Sequence, residues 1–286
     1  MNGIKSIFVA TLLLLMACGT PAQKTPDPAV PTSRLAIAEA MFQERCKTAG
    51  EKIYRTAENV EGIFLMKVRP NGINYGHTPE QQFALDDPYG RDLGGEGYIE
   101  NFLLGRTEKG SVTFVNNVTT GYRYVEAIDP VDGKRYRYTG SMRAIGKKDV
   151  TAYNVQVELK RDPNYDLNIY AFVLDKTPAP ADSPRYGVTY DDISTHEERE
   201  YWIAGSSLKV IDLKSNEVMA ERIGYMMDRG QGNTNSGRSP WLFAAEHACP
   251  DFHRFPNPVV VVPGSAAQLR QAQDFVESIL RPIQEK

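Results

Sequence analysis

The stretch YRYVEAIDPVDGKRYRY, residues 122–138, gives the clearest indication of the fold. Two strand-like runs, 122–128 and 134–138, flank the segment DPVDG at 129–133. A proline followed by Asp-Gly between two such runs is typical of a β-hairpin turn. The sequence therefore predicts a pair of antiparallel strands at this point.

Strand-like runs continue on both sides of this hairpin, and helical spacing appears near the two ends of the chain. Apolar residues three and four apart after the capping residue Ser33 predict a helix from Arg34 that ends near Gly50 or continues to Tyr54. The same spacing predicts a closing helix at 266–279. Further strands are expected at 63–68, 112–118, 155–159, 169–174 and 259–262, and a second hairpin at 199–213 and 218–226. This order predicts the α+β class, with an antiparallel β-sheet core, an N-terminal helix and a C-terminal helix.

Composition and charge place the chain among ordinary globular proteins. The 286 residues are 41% hydrophobic and 24% charged, which excludes global disorder, a collagen-like repeat and a polytopic membrane protein. The net charge of -3 and the pI near 5.9 give no reason to expect a nucleic-acid partner.

The first residues have the composition of an export signal. Lys5 precedes an uncharged apolar run at 7–17, which is too short to span a bilayer. We expect 1–17 to be a signal peptide, with a buried N-terminal helix as the alternative. The next segment, 18–32, is rich in proline and should form an extended tether of roughly 40 Å.

The residues at the end of the apolar run decide the type of signal. Leu15-Met16-Ala17-Cys18 resembles the lipobox of bacterial lipoproteins. The resemblance implies that 1–17 is removed, that Cys18 receives diacylglycerol and that its new amine receives a fatty acid such as palmitate. Lipoproteins that are retained at the inner membrane carry Asp at the position of Gly19. The resemblance therefore implies an anchor in the outer membrane, facing the periplasm. Ordinary signal cleavage near Ala22 remains the alternative.

The mature chain is expected to form one α+β domain from 33 to 286, with a possible internal break. The segment TPAPADSP at 177–184 contains three prolines and no large apolar side chain, so it is either a domain boundary or a long surface loop. The block at 187–228 resembles a segment of proteobacterial proteins of unknown function. That resemblance implies no activity.

Two cysteines remain after lipidation of Cys18, and export would expose both to an oxidising compartment. Cys46 and Cys249 are therefore predicted to form a disulfide. A metal pair is the alternative, although neither cysteine has the CxxC spacing that favours zinc.

The sequence contains no recognisable catalytic or cofactor motif. His196-Glu197-Glu198-Arg199-Glu200 lacks the second histidine of a zinc protease, and His247 with His253 is interpreted as chance proximity in a polar loop. The acidic segment 86–92 does not have the spacing of a calcium loop. We expect no cofactor, no metal and no catalytic residue that the sequence alone identifies.

The predicted hairpin supplies a candidate surface for a protein partner. Alternation places Tyr136 and Tyr138 on one face and Arg135 and Arg137 on the other, and tyrosine with arginine is typical of binding hot spots. Ordinary cross-strand packing of the tyrosines is the alternative. The complete set of candidate partner-binding residues is Tyr122, Tyr124, Arg135, Tyr136, Arg137 and Tyr138.

Two functions are compatible with these features. The favoured one is a membrane-anchored envelope lipoprotein that binds or scaffolds a protein partner without catalysis, with an immunity-type lipoprotein as one subclass. The alternative is an envelope hydrolase whose carboxylates and histidine converge from distant segments. The sequence leaves the question of enzymatic activity open and favours a non-catalytic role.

Overall fold

A computed structural model describes residues 33–71, 82–83, 87–90, 94–104, 121–252, 268 and 270–283. The predicted signal peptide at 1–17, the tether at 18–32 and the strands expected at 112–118 and 259–262 lie outside the described residues.

The described residues form six α-helices and eleven β-strands, so the α+β class is confirmed. The helices are α1 (Arg34–Cys46), α2 (Glu96–Leu104), α3 (Tyr153–Arg161), α4 (His196–Glu200), α5 (Pro240–Ala244) and α6 (Gln271–Ile279). The strands are β1 (Gly50–Ile53), β2 (Ala57–Val60), β3 (Gly62–Leu65), β4 (Tyr124–Ile128), β5 (Arg135–Lys147), β6 (Asn168–Pro178), β7 (Tyr186–Asp192), β8 (Ile203–Asp212), β9 (Glu217–Met227), β10 (Ala248–Cys249) and β11 (Leu280–Pro282). Four helices therefore lie between the first and the last one, where only strands were expected. Among these described helices, none has the length and apolar character needed to cross a bilayer.

One nine-stranded sheet organises the fold, and it is mixed rather than purely antiparallel. Its strand order is β1-β9-β8-β7-β3-β4-β5-β6, with β10 also paired to β9. The central strand β3 runs parallel to both of its neighbours, β4 and β7. Parallel strands need a long crossover and burial on both faces. The chain between β3 and β4 includes α2, and Ile63 and Leu65 are almost fully buried.

Both predicted hairpins are present. In the first, β4 and β5 pair antiparallel with Val125 opposite Tyr138. In the second, β8 and β9 pair with Lys209 opposite Glu221. The second hairpin begins later than expected, because Thr195 and Glu198 form a capping box that starts helix α4.

The strand expected at 155–159 is wrong, because this segment lies inside helix α3. The alternation of Val155, Val157 and Leu159 suggested a strand, but only Val155 is buried. Since most of α3 faces solvent, its Gln, Glu, Lys and Arg residues, which are good helix formers, decide the local structure. Alternation of apolar residues over such a short segment does not distinguish a strand from a helix.

Helices pack against both faces of the sheet. Helices α2 and α6 pack on one face, where Phe102 and Val276 join the main core. Helix α1 packs on the other face, where Phe42 contacts Tyr225 and Met227 of β9. The start of α1 is fixed by Ser33, whose hydroxyl accepts a hydrogen bond of 3.1 Å from the Ala36 N–H.

The sheet continues on both sides of the proline-rich segment at 177–184. Strand β6 ends at Pro178, and β7 begins at Tyr186 and pairs with the central strand β3. Arg135 also donates to the backbone carbonyl of Ala181 at 3.1 Å, which holds the segment against the first hairpin.

Candidate functional site

Cys46 and Cys249 are joined. Cys46 ends helix α1, Cys249 lies in strand β10, and their Cα atoms are 5.5 Å apart in a disulfide. The predicted pairing is therefore confirmed at the level of geometry. The bond ties α1 to the segment that leads out of β10.

Burial removes two residues from the predicted partner surface. Tyr122 is 2% exposed and its hydroxyl donates to the Leu280 carbonyl at 2.5 Å, while Tyr138 is 4% exposed in the main core. Burial also raises the pKa of Tyr122 well above its usual value, so its hydroxyl remains a donor at neutral pH. Both side chains pack within the fold, as the cross-strand alternative required.

The two arginines of the hairpin serve a buried carboxylate. Glu126 has no exposed surface. Arg137 donates from Nε and Nη2 to Glu126 Oε1 at 2.9 and 2.7 Å, and Arg135 Nε lies 3.2 Å from Glu126 Oε2. Tyr124 stacks below the Arg137 guanidinium at 3.8 Å. These four residues form one network within the chain, so both arginines have intramolecular partners.

Tyr136 is the remaining member of the predicted set, and its contacts are also internal. Its hydroxyl donates to Asp132 Oδ2 at 2.7 Å, and the Lys176 ammonium lies 4.1 Å from its ring. The pKa of Asp132 is lowered mainly by the hydrogen bond from the Lys134 N–H, and further by the one from the Tyr136 hydroxyl. The structure thus brings the six predicted residues close together, and Tyr124, Arg135, Tyr136 and Arg137 keep partial exposure.

The two described histidines, His196 and His247, each stack on an aromatic ring. His196 is exposed, stacks on Phe83 with ring centroids 4.5 Å apart, and lies 3.5 Å from Glu200. His247 stacks on Phe42. His77 and His253 lie outside the described residues. Within the described ranges, no three Cys, His, Asp or Glu side chains are grouped so that they could hold a metal.

A concavity between strand β9 and helix α6 has different chemistry. We call it the Arg222 concavity, and its volume is about 120 Å³. Strands β1 and β9 supply Glu51 and Arg222, which are direct cross-strand partners and therefore point to the same side of the sheet. Its polar lining is completed by Asp251, Gln271, Asp274 and Ser278.

Arg222 is the most unusual residue of this site. It is 6% exposed, and its Nη1 donates to the Gln271 carbonyl at 2.8 Å. Its Nε is buried and has no hydrogen-bond partner, and nowhere in the described part of the chain does a carboxylate form an ion pair with its guanidinium. Buried charges in proteins are normally paired, since an isolated buried charge is costly. The guanidinium therefore has capacity for an anion.

The side chain of Gln271 repeats this pattern. Gln271 is the first residue of α6 and is 5% exposed, and neither its amide nitrogen nor its amide oxygen has a hydrogen-bond partner among the described residues. Buried amides are almost always hydrogen-bonded in native proteins. Two adjacent buried groups with open hydrogen-bonding capacity indicate a site that a polar ligand completes.

Tyr89 forms one wall of the concavity without supplying charge. Its ring lies 5.9 Å from the Arg222 guanidinium, and Phe275 lies 5.4 Å away on the α6 side. Burial raises the pKa of Tyr89, while Arg222 acts in the opposite direction, so the hydroxyl is neutral near pH 7. Tyr89 approaches β9 closely because residue 224 is glycine, where a Cβ would collide with the Tyr89 hydroxyl.

A second buried ion pair fixes the segment that carries Tyr89. Asp87 accepts from Arg69 Nη1 at 2.7 Å, from the Ser206 hydroxyl at 2.8 Å and from the Gly90 N–H at 2.9 Å. The Gln268 amide donates to the Tyr89 carbonyl at 2.8 Å. The wall of the concavity is therefore held from the sheet and from the residues preceding α6.

No family model, curated protein or solved structure matches this chain. The functional argument therefore rests on the geometry of the chain itself.

The sequence interpretation missed Arg222, although one signal pointed to it. Alternation along β9 places Arg222 on the same face as Ala220, Gly224 and Met226, which are small or apolar. A charged residue in such a row is unusual for a strand with a buried face. The distant residues that complete the concavity could not be read from that pattern.

Proposed function

We propose that this chain is an exported, lipid-anchored binding protein of the bacterial cell envelope, without catalytic activity. The observation that carries the binding function is the buried guanidinium of Arg222 at the concavity. A buried cation that opens onto a small cavity is arranged to hold an anionic ligand, and a few convergent polar groups with aromatic walls are typical of ligand sites.

The proposed location rests on three features of the sequence and one of the fold. The lipobox-like residues 15–18 provide the anchor at Cys18, and 18–32 provide the tether to one folded domain at 33–286. The Cys46–Cys249 disulfide supports export, because disulfides persist in oxidising compartments such as the periplasm. Gly19 favours the outer membrane, with the domain facing the periplasm.

Replacement of the lipidated cysteine tests the location. Cys18→Ser should move the protein from the membrane fraction to the soluble periplasm, or leave it with an uncleaved signal, because two or more acyl chains are needed for stable anchoring. Fractionation followed by mass spectrometry of the N-terminus gives both readouts. Cys249→Ser is the matched control and should stay in the membrane fraction. An unmodified Cys18 in the wild-type protein, with a mature N-terminus near Ala22, would refute the anchor.

The binding function is tested by what the protein carries when it is purified natively. Small molecules released on denaturation are compared by mass spectrometry between the wild type and Arg222→Gln. We expect a compound with an anionic group in the wild type that the variant lacks, since the variant has no charge to hold that group. Identical extracts, together with no stabilisation of the wild type by any small anion, would contradict the proposal.

A further inference from the structure

We infer that the Arg222 concavity binds a small zwitterion, a free α-amino acid, through its carboxylate and its ammonium group. This inference rests on the binding function proposed above and adds the chemical class of the ligand.

The anionic half of the ligand is indicated by Arg222 and Gln271. A guanidinium presents its donors in a planar fork that matches a carboxylate, and such charge-assisted pairs are the strong hydrogen bonds of proteins. Arg222 uses Nη1 for the Gln271 carbonyl, which fixes the orientation of the fork. Gln271 also lines the concavity, and its buried amide has no hydrogen-bond partner among the described residues.

The cationic half is indicated by the other charges around the concavity. Among the described residues, the carboxylates of Glu51 and Asp251 line it together with the guanidinium of Arg222. These carboxylates would repel a dianion such as phosphate, since like charges brought close together are destabilising. A ligand that carries one carboxylate and one ammonium group matches both the buried guanidinium and the carboxylates around it.

The size of the concavity limits the side chain of the ligand. Its volume of about 120 Å³ lies below the range of roughly 300–1,000 Å³ found for drug-sized ligands. The walls formed by Tyr89, Phe252 and Phe275 are aromatic. Glycine, alanine and serine are therefore the expected amino acids, and large side chains would have to project into solvent.

Isothermal titration calorimetry with matched probes tests the ligand class on the mature protein. L-Alanine is compared with propionate and acetate, which lack the ammonium group, with ethylamine, which lacks the carboxylate, and with inorganic phosphate. We expect alanine to bind at least about tenfold more tightly than each of the others, the loss expected when one charge-assisted hydrogen bond is removed. Acetate binding equal to alanine would overturn the zwitterion inference and leave the anion site and the proposed function standing. If none of the probes binds, and native extracts of the wild type and Arg222→Gln also match, both proposals fail.

Variants assign the two halves of the ligand to their residues. Arg222→Gln should abolish alanine binding without lowering the melting temperature, because it removes a buried charge for which the described residues provide no counter-ion. A lower melting temperature with alanine binding retained would show that Arg222 is structural. Arg143→Gln is the control, since Arg143 pairs with Asp175 on the exposed part of β5 and β6.

Glu51→Gln combined with Asp251→Asn tests the ammonium half. This variant should reduce the preference for alanine over acetate even if Arg222→Gln does not fold. An unchanged preference would contradict the ammonium assignment.

Discussion

Replacing Arg135 and Arg137 together with glutamate is expected to unfold the protein or to lower its melting temperature by about 10 °C or more. The two arginines are the ion-pair partners of Glu126, which has no exposed surface. Removing the partner of a buried charge costs about 3–5 kcal/mol, a large part of the roughly 5–15 kcal/mol that stabilises a domain. In the double variant the two introduced glutamates would also repel Glu126.

A rescue experiment tests whether the buried charge of Glu126 causes the loss of stability in the double variant. Thermal unfolding followed by circular dichroism should show that Glu126→Gln recovers part of the stability lost by the double variant, because the buried negative charge is then absent. Arg143→Glu is the matched control, since its pair with Asp175 is almost half exposed and such pairs contribute about 0–1 kcal/mol. A double variant that melts with the wild type would show that the network does not stabilise the fold.

Loss of the disulfide is the second change with a large expected effect. Cys46 and Cys249 are separated by 203 residues, so the bond closes a very long loop. The entropy of loop closure would contribute about 5 kcal/mol at most, and measured gains are often smaller. Cys46→Ser with Cys249→Ser should therefore melt several degrees below the wild type, and reductant should lower the wild-type melting temperature in the same way.

Measuring the wild type and the double serine variant with and without reductant separates the effect of this bond from general effects of reductant. The double serine variant should be insensitive to reductant, whereas the wild type should respond to it. Alkylation of the denatured, non-reduced mature protein should label neither cysteine. Two labelled thiols in protein that has been exported normally would refute the bond.

The two hairpins could be predicted because their information is local. The turn at 129–133 contains the Pro and Asp-Gly that fix a reversal, and the flanking runs alternate with the period of a strand. Helix α3 was missed because Val155, Val157 and Leu159 alternate as strand residues do, while its solvent exposure became visible only in the fold. The parallel placement of β3 depends on β4 and β7, which are far away in the chain.

Only some features of the candidate site could be predicted from the sequence. Tyrosine and arginine in the first hairpin suggested a surface, but the role of Arg137 depends on the burial of Glu126, which its position in the sequence does not reveal. The disulfide could be predicted from the expected oxidising compartment and the count of cysteines. The Arg222 concavity joins residues from β1, β9, α6 and the segment after β10, and this convergence is a property of the tertiary structure.

The pairing of β1 with β9 has a consequence for how the chain folds. Residues 50–53 find their partner in 220–223, so the outer strand of the sheet stays unpaired until most of the polypeptide is available. Non-local pairing of this kind slows folding, because the entropy of closing the loop is lost before the contacts form. If the chain crosses a membrane from its N-terminus, the early strands emerge long before the strands that shield them. In that case we expect the emerging polypeptide to depend on protection from aggregation until its last third has emerged.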